Sequence, residues 1–179
     1  MKQKLIKITP SNLDVIIDMR YATHNNFTNK KIYENDSCYL IEEAFEHLVI
    51  ASEIASLVGY KIKIFDAFRP KSAQKQLWNY FPNEEFIASP IKGSPHSRGI
   101  AVDITLLDEK LNEIDMGTDF DEFSKLSYHG STQISKYAFQ NRLILLGIMT
   151  DAGWDFFRNE WWHYQLFDSI KFPIINDVF

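Results

Sequence analysis

Two short segments of the sequence carry side chains that can bind a metal ion. Residues 94–103 read Ser-Pro-His-Ser-Arg-Gly-Ile-Ala-Val-Asp, which places His96 and Asp103 seven positions apart, and residues 160–163 add His163. Catalytic zinc is bound by imidazole nitrogen and carboxylate oxygen at about 2.0–2.2 Å, with a fourth position left for water. His96, Asp103 and His163 can therefore supply the three protein ligands of a catalytic zinc ion.

Two further residues can act on a water molecule or an oxyanion beside such a metal. Glu160 lies three residues before His163, and in an extended strand these two side chains would point to opposite faces. Glu160 must therefore lie on a turn or bulge before the strand if it is to act as general base and then general acid. Arg69, at the end of a predicted strand, can stabilise an oxyanion or anchor a carboxylate. An ion pair with Asp66 is the structural alternative for Arg69.

Hydrophobic spacing predicts the elements that must position these residues. Apolar side chains three and four positions apart predict helices, and alternating or continuous apolar runs bounded by Gly and Pro predict strands. Four Pro and Gly residues predict an extended loop over 82–98, which carries His96. The predicted helices are 40–58, 71–80 and 135–149, and the predicted strands are 61–68, 99–107 and 161–167.

The composition is that of an ordinary globular domain. The chain has 179 residues, of which 45% are hydrophobic and 24% charged, and it contains no repeat, low-complexity tract or flexible linker. We therefore expect residues 1–179 to form a single domain. The aromatic content of 15% is high, and we expect most of it in the core, with Trp161 and Trp162 also shaping a pocket.

Charge and cysteine content exclude several classes of partner and metal site. The net charge is −5, and without a basic run we expect no nucleic-acid partner. No stretch approaches the roughly 20 apolar residues of a membrane span, and the first ten residues lack the apolar run of a signal peptide, so we expect a cytoplasmic protein. The single Cys38 can form neither an internal disulfide nor a Cys-rich zinc site, which leaves histidines and carboxylates to bind any metal.

Taken together, these motifs resemble those of a known peptidase family. The order Arg69, His96 with Asp103, and Glu160 with His163 is similar to the D-alanyl-D-alanine metallopeptidases. Their Ser-x-His-x-x-Gly-x-Ala-x-Asp and Glu-x-x-His patterns are both complete here. Within that group the chain resembles the VanX-type D-alanyl-D-alanine dipeptidases over most of its length, through residues 18–23, 68–71, 115–117, 141–142 and the doubled tryptophan at 161–162.

The resemblance implies a fold, a metal and catalytic roles. It implies the α+β fold of the D-Ala-D-Ala peptidases and hedgehog-like proteins, in which a small antiparallel sheet is flanked by helices and carries the zinc site. It also implies one zinc ion (Zn2+) per chain, bound by His96, Asp103 and His163. In that family pattern Glu160 is the catalytic base and Arg69 stabilises the transition state.

The same resemblance implies a small D,D-dipeptide substrate, D-alanyl-D-alanine, which is hydrolysed by metal-activated water. It implies that Tyr21 and Asp121 lie near the free ammonium group of the substrate and that Ser94 lines the site. For Asp121 a solvated acidic loop is the structural alternative, since residues 115–122 are rich in carboxylates.

Two other functions fit parts of the same pattern. A D,D- or L,D-carboxypeptidase acting on longer peptidoglycan peptides would use the same chemistry, although the lack of a predicted export signal speaks against it. A non-catalytic, zinc-stabilised binding module would lack the catalytic glutamate, and Glu160 is present. No unpaired apolar face in the sequence indicates an oligomeric state. We therefore rank the dipeptidase first.

Overall fold

Seven strands and three α-helices make up the regular structure of residues 3–176, the part of the chain that this computed structural model describes. Residues 1–2 and 177–179, the two ends of the predicted domain, lie outside the described residues. The strands are β1 (Leu5–Ile8), β2 (Ile16–Ile17), β3 (Cys38–Ile41), β4 (Lys61–Asp66), β5 (Ala101–Leu107), β6 (Asp155–Phe156) and β7 (His163–Gln165). The helices are α1 (Glu42–Leu57), α2 (Lys71–Tyr80) and α3 (Lys136–Asp151). Between residues 3 and 176, no helix has the length and apolar character needed to cross a bilayer.

Five of the strands form one sheet in the order β2-β4-β5-β7-β6, and β1 and β3 form a separate antiparallel pair. Neighbours in the larger sheet are antiparallel, except that β2 runs parallel to β4. The α+β class with a small sheet and flanking helices is therefore confirmed, with one parallel pair in addition. The central strand β5 is buried along its whole length, so side chains on it are held by contacts on both faces.

Helix α1 contributes a stripe of small and aliphatic side chains to the core. Ala44, Leu48, Ala51 and Ala55 recur at intervals of three and four residues and are fully buried. They belong to the same hydrophobic core as sheet residues such as Ile64. Each fully buried aliphatic side chain of the size of Leu48 or Ile64 contributes about 1.5–3 kcal/mol relative to an exposed one. This core fixes the strands that carry the polar residues of the site.

Predicted boundaries differ from the structure where one apolar pattern runs across two elements. Leu40 and Ile41 fit the helical spacing of α1, but they lie in β3, paired with β1, and the helix begins at Glu42. The strand predicted over 161–167 is shortened to β7, because both tryptophans lie in a turn before it. The sequence does not predict β1, β2 and β6, since two to four residues are too few to show a period.

Candidate active site

Three neighbouring strands present polar side chains in one row across the sheet. In the register of β4, β5 and β7, Asp66 is opposite Asp103, and Asp103 is opposite His163. Register partners carry their side chains on the same face of a sheet, with Cβ atoms about 4.5–5.5 Å apart. Two of the predicted metal ligands, Asp103 and His163, are therefore neighbours by sheet geometry alone.

A tight turn before β5 brings His96 to this row. The 3₁₀ turn His96–Arg98 is closed by Gly99, which has a φ of +70°. A Cβ atom at residue 99 would lie 3.1 Å from the Ile41 side chain and 3.2 Å from the Leu5 side chain. The glycine of the motif is therefore required both by its left-handed backbone and by the close approach of β1 and β3.

The three predicted metal ligands, which we call the ligand cluster, meet at one point. His96 Nε2 lies 3.1 Å from His163 Nδ1 and 3.3 Å from Asp103 Oδ1. His163 Nδ1 lies 3.1 Å from the same Asp103 oxygen, and all three side chains are buried. Donor atoms that bind a tetrahedral zinc ion at about 2.0–2.2 Å lie roughly 3.3–3.6 Å from one another. The donor types suit a zinc ion with one position left open, and the donor spacing of 3.1–3.3 Å lies at or just below this range.

Negative charge in the ligand cluster resides on the carboxylate of Asp103. Burial alone would raise the pKa of Asp103, but the adjacent imidazoles of His96 and His163 outweigh burial and hold this pKa below its ordinary value. The guanidinium of Arg69 lies 3.6 Å from the second carboxylate oxygen. Asp103 is therefore kept ionised, which is the form that binds a metal.

A cavity of about 330 Å³ opens onto the ligand cluster. It is also lined by the other residues that the sequence predicts for the site, namely Tyr21, Arg69, Ser94, Asp121 and Glu160. Aromatic rings form much of the remaining wall, those of Phe86, Phe123, Phe157 and Trp162. Trp161 lies behind this wall, with its ring centre 5.4 Å from that of Trp162. The volume is at the lower end of the range of about 300–1,000 Å³ for small-molecule sites.

Arg69 is fixed at the cavity wall by a buried ion pair. Its Nε and Nη2 atoms donate to Asp66 Oδ2 at 2.9 and 2.7 Å, and its Nη1 atom donates to Gln74 Oε1 at 3.0 Å. The other oxygen of Asp66 accepts a 2.6 Å hydrogen bond from the Tyr33 hydroxyl. Gln74 in turn donates to the backbone carbonyl of Ala88 at 2.7 Å. The ion pair with Asp66 is thus present, and it orients a guanidinium that also borders the cavity.

Glu160 lies in the turn that precedes β7, where the sequence requires it to be. Its N–H donates to the Phe157 carbonyl at 3.2 Å, and its carbonyl accepts from the His163 N–H at 3.3 Å. Because of this turn, Glu160 and His163 line the same cavity. Burial and the carboxylates of Asp103 and Asp121 raise the pKa of Glu160 well above its ordinary value. Such a carboxylate can accept a proton and later return it.

Tyr21 and Asp121 form a hydrogen-bonded pair at the cavity wall. The Tyr21 hydroxyl donates to the Asp121 carboxylate, at 3.0 and 3.1 Å from its two oxygens. Burial and the charge of Asp103 raise the pKa of Asp121 well above its ordinary value, so a cation at this position would be favourable. Ser94 is also buried, and its hydroxyl accepts a 3.2 Å hydrogen bond from the His96 N–H. Ser94 is therefore hydrogen-bonded to the turn that carries His96.

The irregular segment that carries Asp121 is held by Arg142 of α3. The guanidinium donates to the carbonyl of Met116 at 2.6 Å and to those of Leu126 and Tyr128 at 2.8 and 3.1 Å. These acceptors lie on both sides of Asp121 in the sequence. One buried arginine therefore fixes the backbone of a segment that has little regular structure of its own.

Two residues that support the site, Gln165 and Tyr33, were not identified from the sequence. A local pattern could have indicated Gln165, because it follows His163 by two residues in β7 and therefore lies on the same face of the sheet. No local sequence pattern indicates Tyr33, because its hydrogen bond to Asp66 joins residues 33 positions apart. The residues without a local signal are those that support the site from other parts of the chain.

Comparison with known proteins agrees with this geometry. A family model described as D-ala-D-ala dipeptidase matches residues 1–179. The D-alanyl-D-alanine dipeptidase of Escherichia coli is 39% identical over 166 residues, which cover 93% of this chain and 86% of that protein. Proteins of the same name from Enterococcus faecium and Enterococcus faecalis are 36% and 34% identical, over 90% and 85% of this chain and 89% and 86% of theirs. The resemblance indicated by the motifs is thus confirmed, and the chain belongs to the D-alanyl-D-alanine dipeptidase family.

Proposed function

We propose that this chain hydrolyses the dipeptide D-alanyl-D-alanine to D-alanine in a zinc-dependent reaction. The observation that carries the proposal is the ligand cluster, whose donor atoms lie 3.1–3.3 Å apart in the same small cavity as Glu160. Membership of a family whose relatives are named D-alanyl-D-alanine dipeptidases supports the same substrate.

His96, Asp103 and His163 would hold one zinc ion per chain. Zinc at such a site supplies a water molecule of lowered pKa and a Lewis acid for the peptide carbonyl. A divalent ion combined with one carboxylate and two neutral imidazoles leaves a net positive charge. That charge offsets the two nearby carboxylates, Glu160 and Asp121, whose pKa values burial raises.

Glu160 performs the proton transfers of the reaction. As a carboxylate it takes a proton from the attacking water while the water oxygen bonds to the carbonyl carbon. It then delivers this proton to the amide nitrogen as the carbon–nitrogen bond breaks, and the leaving D-alanine departs as a neutral amine. The raised pKa of Glu160 helps it to hold this proton between the two steps, and the positive charge of a bound zinc ion would favour the carboxylate form that the first step needs.

Arg69 stabilises the negative charge that develops on the carbonyl oxygen. Its guanidinium is held by Asp66 and Gln74 at the cavity wall before any substrate binds. A donor fixed in advance needs no reorganisation during the reaction, and removal of one such donor costs about 10²–10³-fold in kcat in other hydrolases.

Recognition of a free dipeptide requires a partner for its ammonium group. We assign this role to Asp121, held by Tyr21, and place Ser94 among the residues that line the site around the substrate. An ammonium group beside Asp121 forms a charge-assisted hydrogen bond in a buried environment. An N-acylated peptide has no such charge, which favours a dipeptidase over a carboxypeptidase.

Metal analysis combined with hydrolysis of D-alanyl-D-alanine, before and after chelation, tests the proposal. We expect about one zinc ion per chain, loss of hydrolysis on chelation and recovery when zinc is returned. An N-acylated peptide ending in D-alanyl-D-alanine is the substrate control and should be cleaved far more slowly. Zinc binding without hydrolysis would indicate a binding module, and faster cleavage of the acylated peptide would indicate a carboxypeptidase.

The proposal includes a cytoplasmic site of action. Fractionation of cells that produce the chain in its native sequence context tests this point. We expect the protein in the cytoplasmic fraction, and recovery with membranes or outside the cell would contradict it.

A further inference from the structure

A metal ion in the ligand cluster requires a lone pair on each of the two facing imidazole nitrogens, His96 Nε2 and His163 Nδ1. A neutral imidazole carries a single proton, so each ring must keep that proton on its other nitrogen. The group that faces the other nitrogen decides whether it does so, because a pure acceptor stabilises an N–H. The two histidines differ in the origin of that acceptor.

The acceptor for His96 belongs to the backbone. His96 Nδ1 donates to the carbonyl oxygen of Ala67 at 2.7 Å, and the ring is buried. A carbonyl oxygen can only accept, so the proton stays on Nδ1 and the Nε2 lone pair faces the cluster. The fold itself therefore sets the tautomer of this ligand.

The acceptor for His163 is the side chain of Gln165. His163 Nε2 lies 3.1 Å from Gln165 Oε1. The two residues are two positions apart in β7, so their side chains share one face of the sheet. Ala101, the register partner of Gln165 in β5, presents only a methyl group on that face. The amide can therefore lie beside the imidazole edge that points away from the ligand cluster.

We propose that Gln165 is a positioning residue, which holds His163 in the Nε2–H tautomer and so frees its Nδ1 atom to bind zinc; the inference rests on the zinc site of the proposed function. The amide oxygen of Gln165 accepts the Nε2 proton. Gln165 makes no bond to the metal in this arrangement. It acts only through His163.

The role of Gln165 is needed because a competing arrangement lies close by. His163 Nδ1 is 3.1 Å from Asp103 Oδ1. With its proton on Nδ1, the ring would donate to that oxygen, and one internal hydrogen bond would occupy two of the three metal-binding atoms. Without the amide oxygen of Gln165 beside Nε2, nothing disfavours the tautomer of His163 that carries its proton on Nδ1. Zinc would then have to displace the proton before it could bind.

Substitutions at residue 165 separate the acceptor from the shape of the side chain. Gln165→Met keeps the length of the side chain and removes the acceptor, and we expect zinc affinity to fall by about 10–100-fold. Gln165→Glu keeps an acceptor and adds negative charge, so its affinity should equal or exceed that of the original protein. Gln140→Met, at an exposed position of α3, makes the same chemical change away from the site and should have no effect.

The measurement is the zinc Kd of each metal-free protein by competition with a chromophoric chelator, with the thermal unfolding midpoint recorded in parallel. Weaker binding in Gln165→Met, restored in Gln165→Glu at similar midpoints, supports the inference. Unchanged affinity in Gln165→Met, or equal losses in both variants, overturns it. In the zinc-loaded original protein, long-range 1H–15N spectra should show a protonated Nε2 on His163, and a protonated Nδ1 would also overturn it.

These outcomes are separate from the test of the proposed function. If the original protein binds no zinc, both the function and the inference fail. If it binds zinc and hydrolyses D-alanyl-D-alanine while Gln165→Met binds zinc equally well, only the role of Gln165 fails.

Discussion

Three carboxylates that border one cavity differ in their tendency to hold a proton. Burial and the negative charge of Asp103 raise the pKa values of Glu160 and Asp121, whereas the imidazoles beside Asp103 lower the pKa of Asp103 despite its burial. The residue type is nearly the same in each case, so the neighbours decide the chemistry. Asp103 is suited to bind a metal, Glu160 to carry a proton, and Asp121 to receive a cation.

Replacement of Glu160 by glutamine removes the proton acceptor and keeps the size of the side chain. We expect kcat for D-alanyl-D-alanine to fall by about 10²–10⁴-fold, the usual contribution of a positioned general base. The zinc content should not change, because Glu160 is not part of the ligand cluster. Steady-state kinetics and metal analysis of the same preparation measure both quantities. Full activity in Glu160→Gln would rule out the mechanism.

Replacement of Asp121 by asparagine tests recognition of the ammonium group. Asparagine tolerates the φ of +63° at this position, so the backbone is kept while the charge is lost. We expect kcat/KM for D-alanyl-D-alanine to fall by about 10–100-fold, since a hydrogen bond to a charged group contributes about 1.5–3 kcal/mol. Slow cleavage of an N-acylated analogue is the control and should not change. Equal losses on both substrates would show that Asp121 has another role.

Among the elements, the turn before β5 has a steric requirement that bears directly on the site. Gly99 has a left-handed backbone, and the side chains of Ile41 and Leu5 would lie only 3.1 and 3.2 Å from a Cβ atom at this position. The turn therefore joins the β1–β3 pair to the strand that carries Asp103. His96 is in the same turn, so its position depends on this junction.

The variant Gly99→Ala should lose both stability and zinc affinity. The left-handed backbone alone costs about 1–2 kcal/mol of unfolding free energy for an L residue, and the contact with β1 and β3 displaces His96 as well. Gly59→Ala is the matched control: Gly59 has a φ of +84°, and a Cβ atom there would meet nothing within 4 Å. The Gly59→Ala variant should lose stability and keep its zinc affinity. Denaturant unfolding and zinc titration measure the two effects, and equal zinc affinities in the two variants would contradict the role of the turn.

At the scale of the whole molecule, the raised pKa values of Glu160 and Asp121 make the stability of the metal-free protein depend on pH. In the folded chain Glu160 and Asp121 retain protons at pH values where the unfolded chain has lost them. The unfolded state then binds fewer protons, so the unfolding free energy falls as the pH rises above about 4. Asp103 acts in the opposite sense and only in acid, because its pKa is lowered.

We expect the thermal midpoint of the metal-free protein to fall between about pH 5 and pH 8. Asp121→Asn removes one of the two groups responsible, so it should flatten this profile and be the more stable protein at the higher pH. Differential scanning calorimetry of the chelated proteins across this range provides the measurement. A flat profile for the original chain would show that the two carboxyl groups are ionised alike in both states.

Within each motif the sequence limits where the side chains can lie, because the residues of one motif are close in the chain, whereas the meeting of His163 with Asp103 joins residues 60 positions apart. His96 and Asp103 are seven residues apart, and Glu160 and His163 are three apart, so short-range turn and strand geometry limits where each side chain can point. The turn at Glu160 was required by this reasoning and is present. Helices α2 and α3 also lie close to their predicted bounds, since their apolar spacing is uninterrupted.

Contacts between distant segments could not be predicted from local patterns. The pair Tyr21 and Asp121 joins residues 100 positions apart, and only the resemblance to a family placed them together. The parallel pairing of β2 with β4 rests on two residues, too few for any period to show. Support of the site by Tyr33 and Arg142 likewise depends on tertiary packing.

One side chain, Gln74, connects Arg69 to the loop that carries Ala88, and both Arg69 and Ala88 line the cavity. Its oxygen accepts from Arg69, and its nitrogen donates to Ala88, which lines the cavity. Any outward movement of the loop at Ala88 therefore breaks a bond of the amide that orients the guanidinium. The position of the backbone at Ala88 and the orientation of the Arg69 guanidinium are therefore coupled through one amide, so a substitution that shifts Ala88 should also disturb the guanidinium.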